Sequence, residues 1–180
     1  MGVLADDEGD GVDGSGLLLE LYGRVDGEVE LALTGLDTAD LTWEPTPGAN
    51  TIGWLIWHLT RVQDHHIGEL IDQEQIYVTG DWGPRFGLES APHDIGYGHT
   101  PDQVAAVRPE SVEALTGYYE AVAARTRTFL AEVTAERLDE VVDTRWDPPV
   151  TLAVRLVSIA DDDIQHAGQA CYVKGLLARR

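Results

Sequence analysis

Four stretches of this chain place apolar side chains alternately three and four residues apart, the spacing of a helix face packed in a bundle. In the first, Leu18, Tyr22, Val25, Val29, Ala32 and Leu36 share a stripe. In the second, Ile52, Leu55, Leu59, Val62, His66 and Leu70 do, and in the third Val112, Leu115, Tyr119, Val122, Thr126, Phe129 and Val133. The fourth runs through Leu152, Leu156, Ile159, Asp163, His166, Ala170, Val173 and Leu177. The breakers between them agree. Pro45, Pro47 and Gly48 interrupt the chain before Asn50 or Thr51, either of which can cap the second helix. Pro101 suits the first turn of a helix starting near Thr100, Pro109 can kink or restart it, and Pro148 and Pro149 precede the fourth helix with Thr151 near its start. No segment alternates as a strand does. The expected fold is an all-α bundle of four helices, with a long loop between helices 2 and 3.

That loop, residues 76–100, holds five glycines and two prolines but also Trp82, Phe86 and Tyr97. Those aromatics favour burial, so the loop is expected to fold over one end of the bundle. Residues 1–16 are acidic and glycine-rich and read as a flexible leader without the basic start of a secretion signal. Twelve basic residues against 32 acidic ones give a net charge of −20, which repels phosphate backbones and anionic lipid and argues against nucleic-acid or membrane partners. No stretch approaches the ~20 apolar residues of a membrane span. With a single cysteine, Cys171, no internal disulfide can form, and a cytoplasmic location is expected. Cys171 itself reads as a small packed residue.

Polar side chains on the buried stripes carry the functional signal. His58 lies three residues after Leu55 and four before Val62, so it points inward. His166 lies seven after Ile159 and seven before Val173. Asp162 is one turn before His166, and Asp163 occupies the seam itself. A buried carboxylate is costly unless it is paired or bound to a cation. Two imidazoles and a carboxylate from two helices can satisfy one another through a divalent metal. The competing reading is a set of hydrogen-bonded core histidines beside a solvated Asp161–Asp163 run. His65 and His66 are assigned no ligand role. Phosphate loops, His-Glu-x-x-His, nucleophile elbows and the Glu-x-x-His pairs of di-iron bundles are absent from the sequence.

Two segments taken together resemble the DinB-like superfamily. Gly53-Trp54-Leu55-Ile56-Trp57-His58-Leu59 resembles its second-helix motif. Asp162-Asp163-Ile164-Gln165-His166-Ala167-Gly168-Gln169, followed by Tyr172-Val173-Lys174-Gly175-Leu176, resembles its fourth-helix motif, typically His-x-x-x-His-x-Gly-Gln. Phe86-Gly87-Leu88, Gly96-Tyr97-Gly98-His99-Thr100 and Trp146-Asp147-Pro148-Pro149-Val150 look like a subfamily whose members mostly lack an assigned function. The resemblance covers residues 17–178 and implies an up-down-up-down four-helix bundle, often a homodimer, with three histidines on zinc, nickel or a similar ion. Some members are transferases or isomerases that use mycothiol, bacillithiol or glutathione. Carried over, the first ligand is His58 and the third His166. The second position holds Asp162 where the common motif has histidine, with Asp163 competing; a carboxylate there shifts preference toward iron or manganese, or marks a lost site.

The resulting expectation is a metal-dependent enzyme of the thiol-transferase or isomerase kind acting on a small-molecule substrate or thiol. The metal is held by His58, Asp162 and His166, Arg61 holds an anionic group of the substrate, and Gln169 orients a ligand. The alternative is a non-catalytic, metal-binding or dimerising stress-related bundle. A non-haem iron hydrolase or oxygenase ranks third.

Overall fold

The computed structural model describes residues 13–180. Four long helices form the body: α1 (Gly14–Leu33), α2 (Ile52–Leu70), α3 (Val112–Leu130) and α4 (Leu152–Leu177). Each starts on a side-chain cap. Asp13 accepts from the Gly16 amide at 2.7 Å, Thr51 from Trp54 at 3.1 Å, Ser111 from Ala114 at 3.1 Å, and Thr151 from Val154 at 3.4 Å. The first helix therefore begins inside the segment expected to be a leader, whose residues 1–12 lie outside the described part. Thr100 and Gln103 form a reciprocal cap on the short helix Pro101–Ala106, as the proline at its first turn predicts.

The all-α bundle stands, but the up-down-up-down order does not. Tyr22 on α1 bonds the Leu156 carbonyl on α4, and Cys171 on α4 bonds the Glu28 carbonyl on α1. Residue numbers rise together, so α1 and α4 run parallel. Arg61 reaches Tyr118, and Gln63 reaches Thr126, so α2 and α3 are parallel too. His58 meets His166, while His66 meets Arg155, so α2 and α4 are antiparallel. Ser15 bonds the Leu130 carbonyl and Tyr119 bonds Asp26, so α1 and α3 are antiparallel. The order is up-down-down-up, with α1 and α2 each packed against both α3 and α4.

Parallel neighbours need a return crossing, and α2 at ~1.5 Å per residue is nearly 30 Å long. Residues 71–111 make that crossing. They therefore run back along α2 rather than capping one end as expected. The segment has its own short helix at Ile76–Thr79 and a 3₁₀ turn at Gly83–Phe86. Tyr77 and Phe86 are buried, whereas Tyr97, expected inside, is 91% exposed. With this cover added to α3 and α4, every residue from Thr51 to Asp64 is buried. That explains why α2 carries Trp54, Ile56 and Trp57 off its stripe.

A two-stranded antiparallel hairpin, β1 (Val141–Asp143) and β2 (Val150–Thr151), leads into α4. Sequence reading expected no strand; three residues and two are too short for alternation to register. No helix among the described residues is long and apolar enough to cross a membrane.

Candidate metal centre

His58 on α2 meets Asp162 and His166 on α4 because those two helices cross antiparallel at this level. The donor atoms of the three residues all lie within 4.8 Å of one another. His58 Nε2 is 3.9 Å from Asp162 Oδ2, and His166 Nε2 is 3.6 Å from Asp162 Oδ1. Donors around a tetrahedral zinc at about 2.0–2.1 Å lie roughly 3.4 Å apart, and these two carboxylate contacts are within a few tenths of an ångström of that spacing. The remaining ring nitrogens are engaged. His58 Nδ1 is 2.5 Å from the Ile95 carbonyl, and His166 Nδ1 is 3.0 Å from Gln169 Oε1. Carbonyl oxygens only accept, so both Nδ1 atoms carry the proton and both Nε2 lone pairs face the cluster. Gln169 thus sits where the expected orienting role needs it. Burial lowers the His58 pKa, which keeps the ring neutral, its ligating form.

The carboxylate supplies the decisive mismatch. Asp162 Oδ2 is buried and has no hydrogen-bond partner among the described residues. An orphaned carboxylate oxygen costs free energy that a cation would recover. The donor set and this vacancy in its bonding fit a divalent ion.

Trp54 stacks on His58, with centroids 4.7 Å apart and planes at 15°, and presents its edge toward His166. Its indole N–H donates to His99 Nδ1 at 3.1 Å. Indole N–H is only a donor, so His99 carries its proton on Nε2 and donates it to Asp94 Oδ1 at 2.8 Å. Sequence reasoning quoted His99 within a motif but gave it no role, and it passed over Asp94 and the Ile95 carbonyl. Only the path of the crossing brings these to α2. The approach is close enough to need a glycine. Gly96 has φ of +90°, and a Cβ there would lie 2.7 Å from His58 Nδ1 and 2.9 Å from Trp57. Gly96→Ala is expected to push the Ile95 carbonyl off His58 and weaken metal binding about 10- to 100-fold. Competition with a chromogenic chelator measures this, and unchanged affinity would remove the crossing from the site.

A comparison of the whole sequence with family models matches residues 24–178 to that of mycothiol-S-transferase. The chain belongs to the mycothiol-S-transferase family. It is a member of the DinB-like proteins, in keeping with the motifs around His58 and His166. The crystal structure of a conserved protein from Enterococcus faecalis superposes with a TM-score of 0.86 at 30% identity, covering 94% of this chain and 100% of that one. No curated protein sequence matches this chain.

Two expectations for this family member are corrected by the geometry. Arg61 has no part in holding a substrate anion. It is fully buried, and its guanidinium donates to the Asp94, Ala91 and Pro92 carbonyls and to Gln75, over the Tyr77 ring at 4.0 Å. Nor is Asp163 a rival ligand. It is fully buried on the other side of α4, near Tyr22 and Tyr119, and neither oxygen has a partner among the described residues. One residue along a helix rotates a side chain by about 100°, which separates Asp162 from Asp163. Burial, reinforced by Asp162, pushes the Asp163 carboxyl well above the usual range, which favours its neutral form. Asp163→Leu, close in shape, is expected to stabilise the fold by about 1–3 kcal/mol, read as a Tm rise of roughly 2–10 °C. A lower Tm would show that the carboxyl has a function in the core.

A second group, His65, His66 and Glu69, also falls within ligand reach at the other end of α2. There Arg155 lies 3.1 Å from His66 Nδ1, and a cation already in place repels another. Desolvation, with Arg155 and His65 adding to it, lowers the His66 pKa from 6.5 to about 4. The unfolded chain takes up a proton that the folded chain refuses. The His66 contribution to stability is therefore full above pH 6.5 and is lost as pH falls toward 4. His66→Gln is expected to flatten that limb of a Tm–pH curve, with His58 and His65 leaving a residual slope; an unchanged limb would contradict it. A cavity of about 570 Å³ between α1 and α3 contains none of these residues.

Proposed function

We propose that this chain is a metal-dependent thiol S-transferase that uses mycothiol or a closely related low-molecular-weight thiol. One observation carries the reading: two imidazole Nε2 atoms, each ring fixed through its Nδ1, converge on a carboxylate with an orphaned oxygen in a chain of this family. A divalent ion held there, zinc or nickel first and iron or manganese next, favours the thiolate of a bound thiol at neutral pH. The protein's own residues do the rest. His58, Asp162 and His166 supply three donors and leave an open side. Ile95 and Gln169 hold the imidazoles in the ligating tautomer, and Trp54 with the crossing segment shields the inner wall from water.

The test is metal content of untagged protein purified without chelator, followed by thermal shift with mycothiol, bacillithiol and glutathione on loaded and stripped protein. The expected result is about one ion per chain and stabilisation by mycothiol only when loaded. A thiol at a hundred times its Kd adds about 2.7 kcal/mol. A second reading, a non-catalytic bundle, is favoured by Asp162 standing where the family's motif has histidine. Protein that takes up no ion and responds to no thiol would establish it.

A further inference from the structure

Two cavities on the outer side of the α2–α4 seam share a wall. The first, about 210 Å³, lies against His58 and Asp162 and is walled by Val62, Ile95 and Ile159. Its far end is His66 and Arg155. The second, about 230 Å³, continues from those same two side chains to Asp143 and Arg145 of the hairpin segment. Arg155 and Asp162 are seven residues apart on α4, two turns along one face, or about 10 Å. The groove thus has a cluster of ligand atoms at one end, an apolar middle and a guanidinium at the other.

Asp143 accepts from Arg145 Nε and Nη2, each at 2.9 Å, and from Arg155 Nη2 at 2.8 Å. Two guanidiniums share this one carboxylate, and the Glu69 carboxylate lining the same cavity brings these four groups to a formal charge of zero, in a chain whose net charge is −20. The Glu69 oxygens lie 3.6 and 3.5 Å from His65 and His66 rather than on the Arg155 fork. Arg155 spends one N–H on Asp143 and one on His66, which leaves donors of its fork uncommitted. Its side chain is 15% exposed, at the floor of the groove rather than free in solvent.

We propose that this groove binds a small molecule with an apolar body and a terminal carboxylate, the carboxylate on Arg155 and the reacting end at His58, Asp162 and His166. The placement of the reacting end rests on the metal-site reading; the carboxylate end stands on Arg155 alone. The apolar walls exclude a strongly hydrated body, and the planar fork of Arg155 matches a carboxylate in two-point contact.

The test uses the full-length, metal-loaded protein and titrates octanoate, octanol and the pair 8-mercaptooctanoate and thioglycolate by calorimetry. Octanoate is expected to bind at least about tenfold tighter than octanol, and Arg155→Gln to erase that difference. Arg155 also pairs with Asp143, so thermal unfolding of the variant is followed in parallel. The wild-type length comparison carries the argument if the variant is unstable: 8-mercaptooctanoate is expected to exceed thioglycolate at least tenfold, because only the longer chain reaches both ends. Octanoate no better than octanol in the wild type, or a preference that survives in folded Arg155→Gln, would overturn the proposal. Failure of the metal reading looks different. Octanoate then binds stripped and loaded protein alike with its Arg155 dependence intact, and the thiol of 8-mercaptooctanoate adds nothing; this outcome supports the carboxylate end and removes the ion.

Discussion

Asp64→Ala is expected to destabilise the protein by about 3–5 kcal/mol, the cost of breaking a buried charge pair from one side. Asp64 is fully buried on α2. Its Oδ1 accepts from the Ile76 amide at 2.9 Å and from Arg125, and its Oδ2 from the Tyr77 amide and the Tyr118 hydroxyl, each at 2.8 Å. Arg61, also fully buried, lies 3.6 Å away. These donors are what allow a carboxylate to stay charged inside a bundle. Removing it strands two amides and leaves the Arg61 guanidinium buried beside carbonyls without its counter-charge. A Tm fall of roughly 6–20 °C follows from the size of the domain. A second consequence separates this site from an ordinary core position. Arg61 holds the carbonyls of Ala91, Pro92 and Asp94, immediately before the Ile95 carbonyl that orients His58. Metal affinity is therefore expected to fall along with stability, though no Asp64 atom belongs to the cluster. A loss below 1 kcal/mol by chemical denaturation would show that this network contributes little.

His58→Ala is expected to reduce bound metal from about one ion per chain to less than a tenth. His58 is the only donor of the three from α2, and it is 4% exposed. Without it, Asp162 and His166 remain, one turn apart on one helix, and two donors do not close a site for zinc or nickel. Elemental analysis together with circular dichroism makes the distinction, since the helical signal is expected to persist. Asp162→His supplies the complementary result. It restores the donor that the family's motif carries at that place, so the ion is expected to be retained and held more tightly. Full metal content in His58→Ala, or loss of metal in Asp162→His with the fold intact, would place the ion elsewhere.

How much of this was legible beforehand differs from residue to residue. His58, Asp162 and His166 were selected because polar side chains on apolar stripes must find partners, and helix spacing states which face each occupies. Gln169 followed from its place one turn after His166. Arg61 was misassigned for a physical reason: spacing put it one turn from His58 but carried no information on residues 91–94, which lie thirty positions away and take up its donors. Asp163 was ambiguous with Asp162 because a stripe has width, and only the direction in which α4 is rotated separates a ligand from a core residue. His99 and Gly96 were invisible as parts of the site, because a segment without periodicity gives no orientation.

The amino-acid sequence by itself determined the four helices, the caps near Thr51 and Thr151 and which stripes face inward, because these follow from local spacing and from backbone hydrogen bonds closed within a few residues. It also determined His58 and His166 as candidate donors, with Asp162 or Asp163 as the third, and, through its motifs, the family. Only the tertiary structure decided that α1 runs parallel to α4 and α2 to α3, that the crossing lies along α2, and that Arg61 is spent on holding it there. Those are contacts between residues far apart in the chain, chosen by which faces bury most surface together, and no local rule encodes them. The candidate metal centre stands at the junction of the two: its candidate donors are written in two helices, and their meeting is a property of the fold.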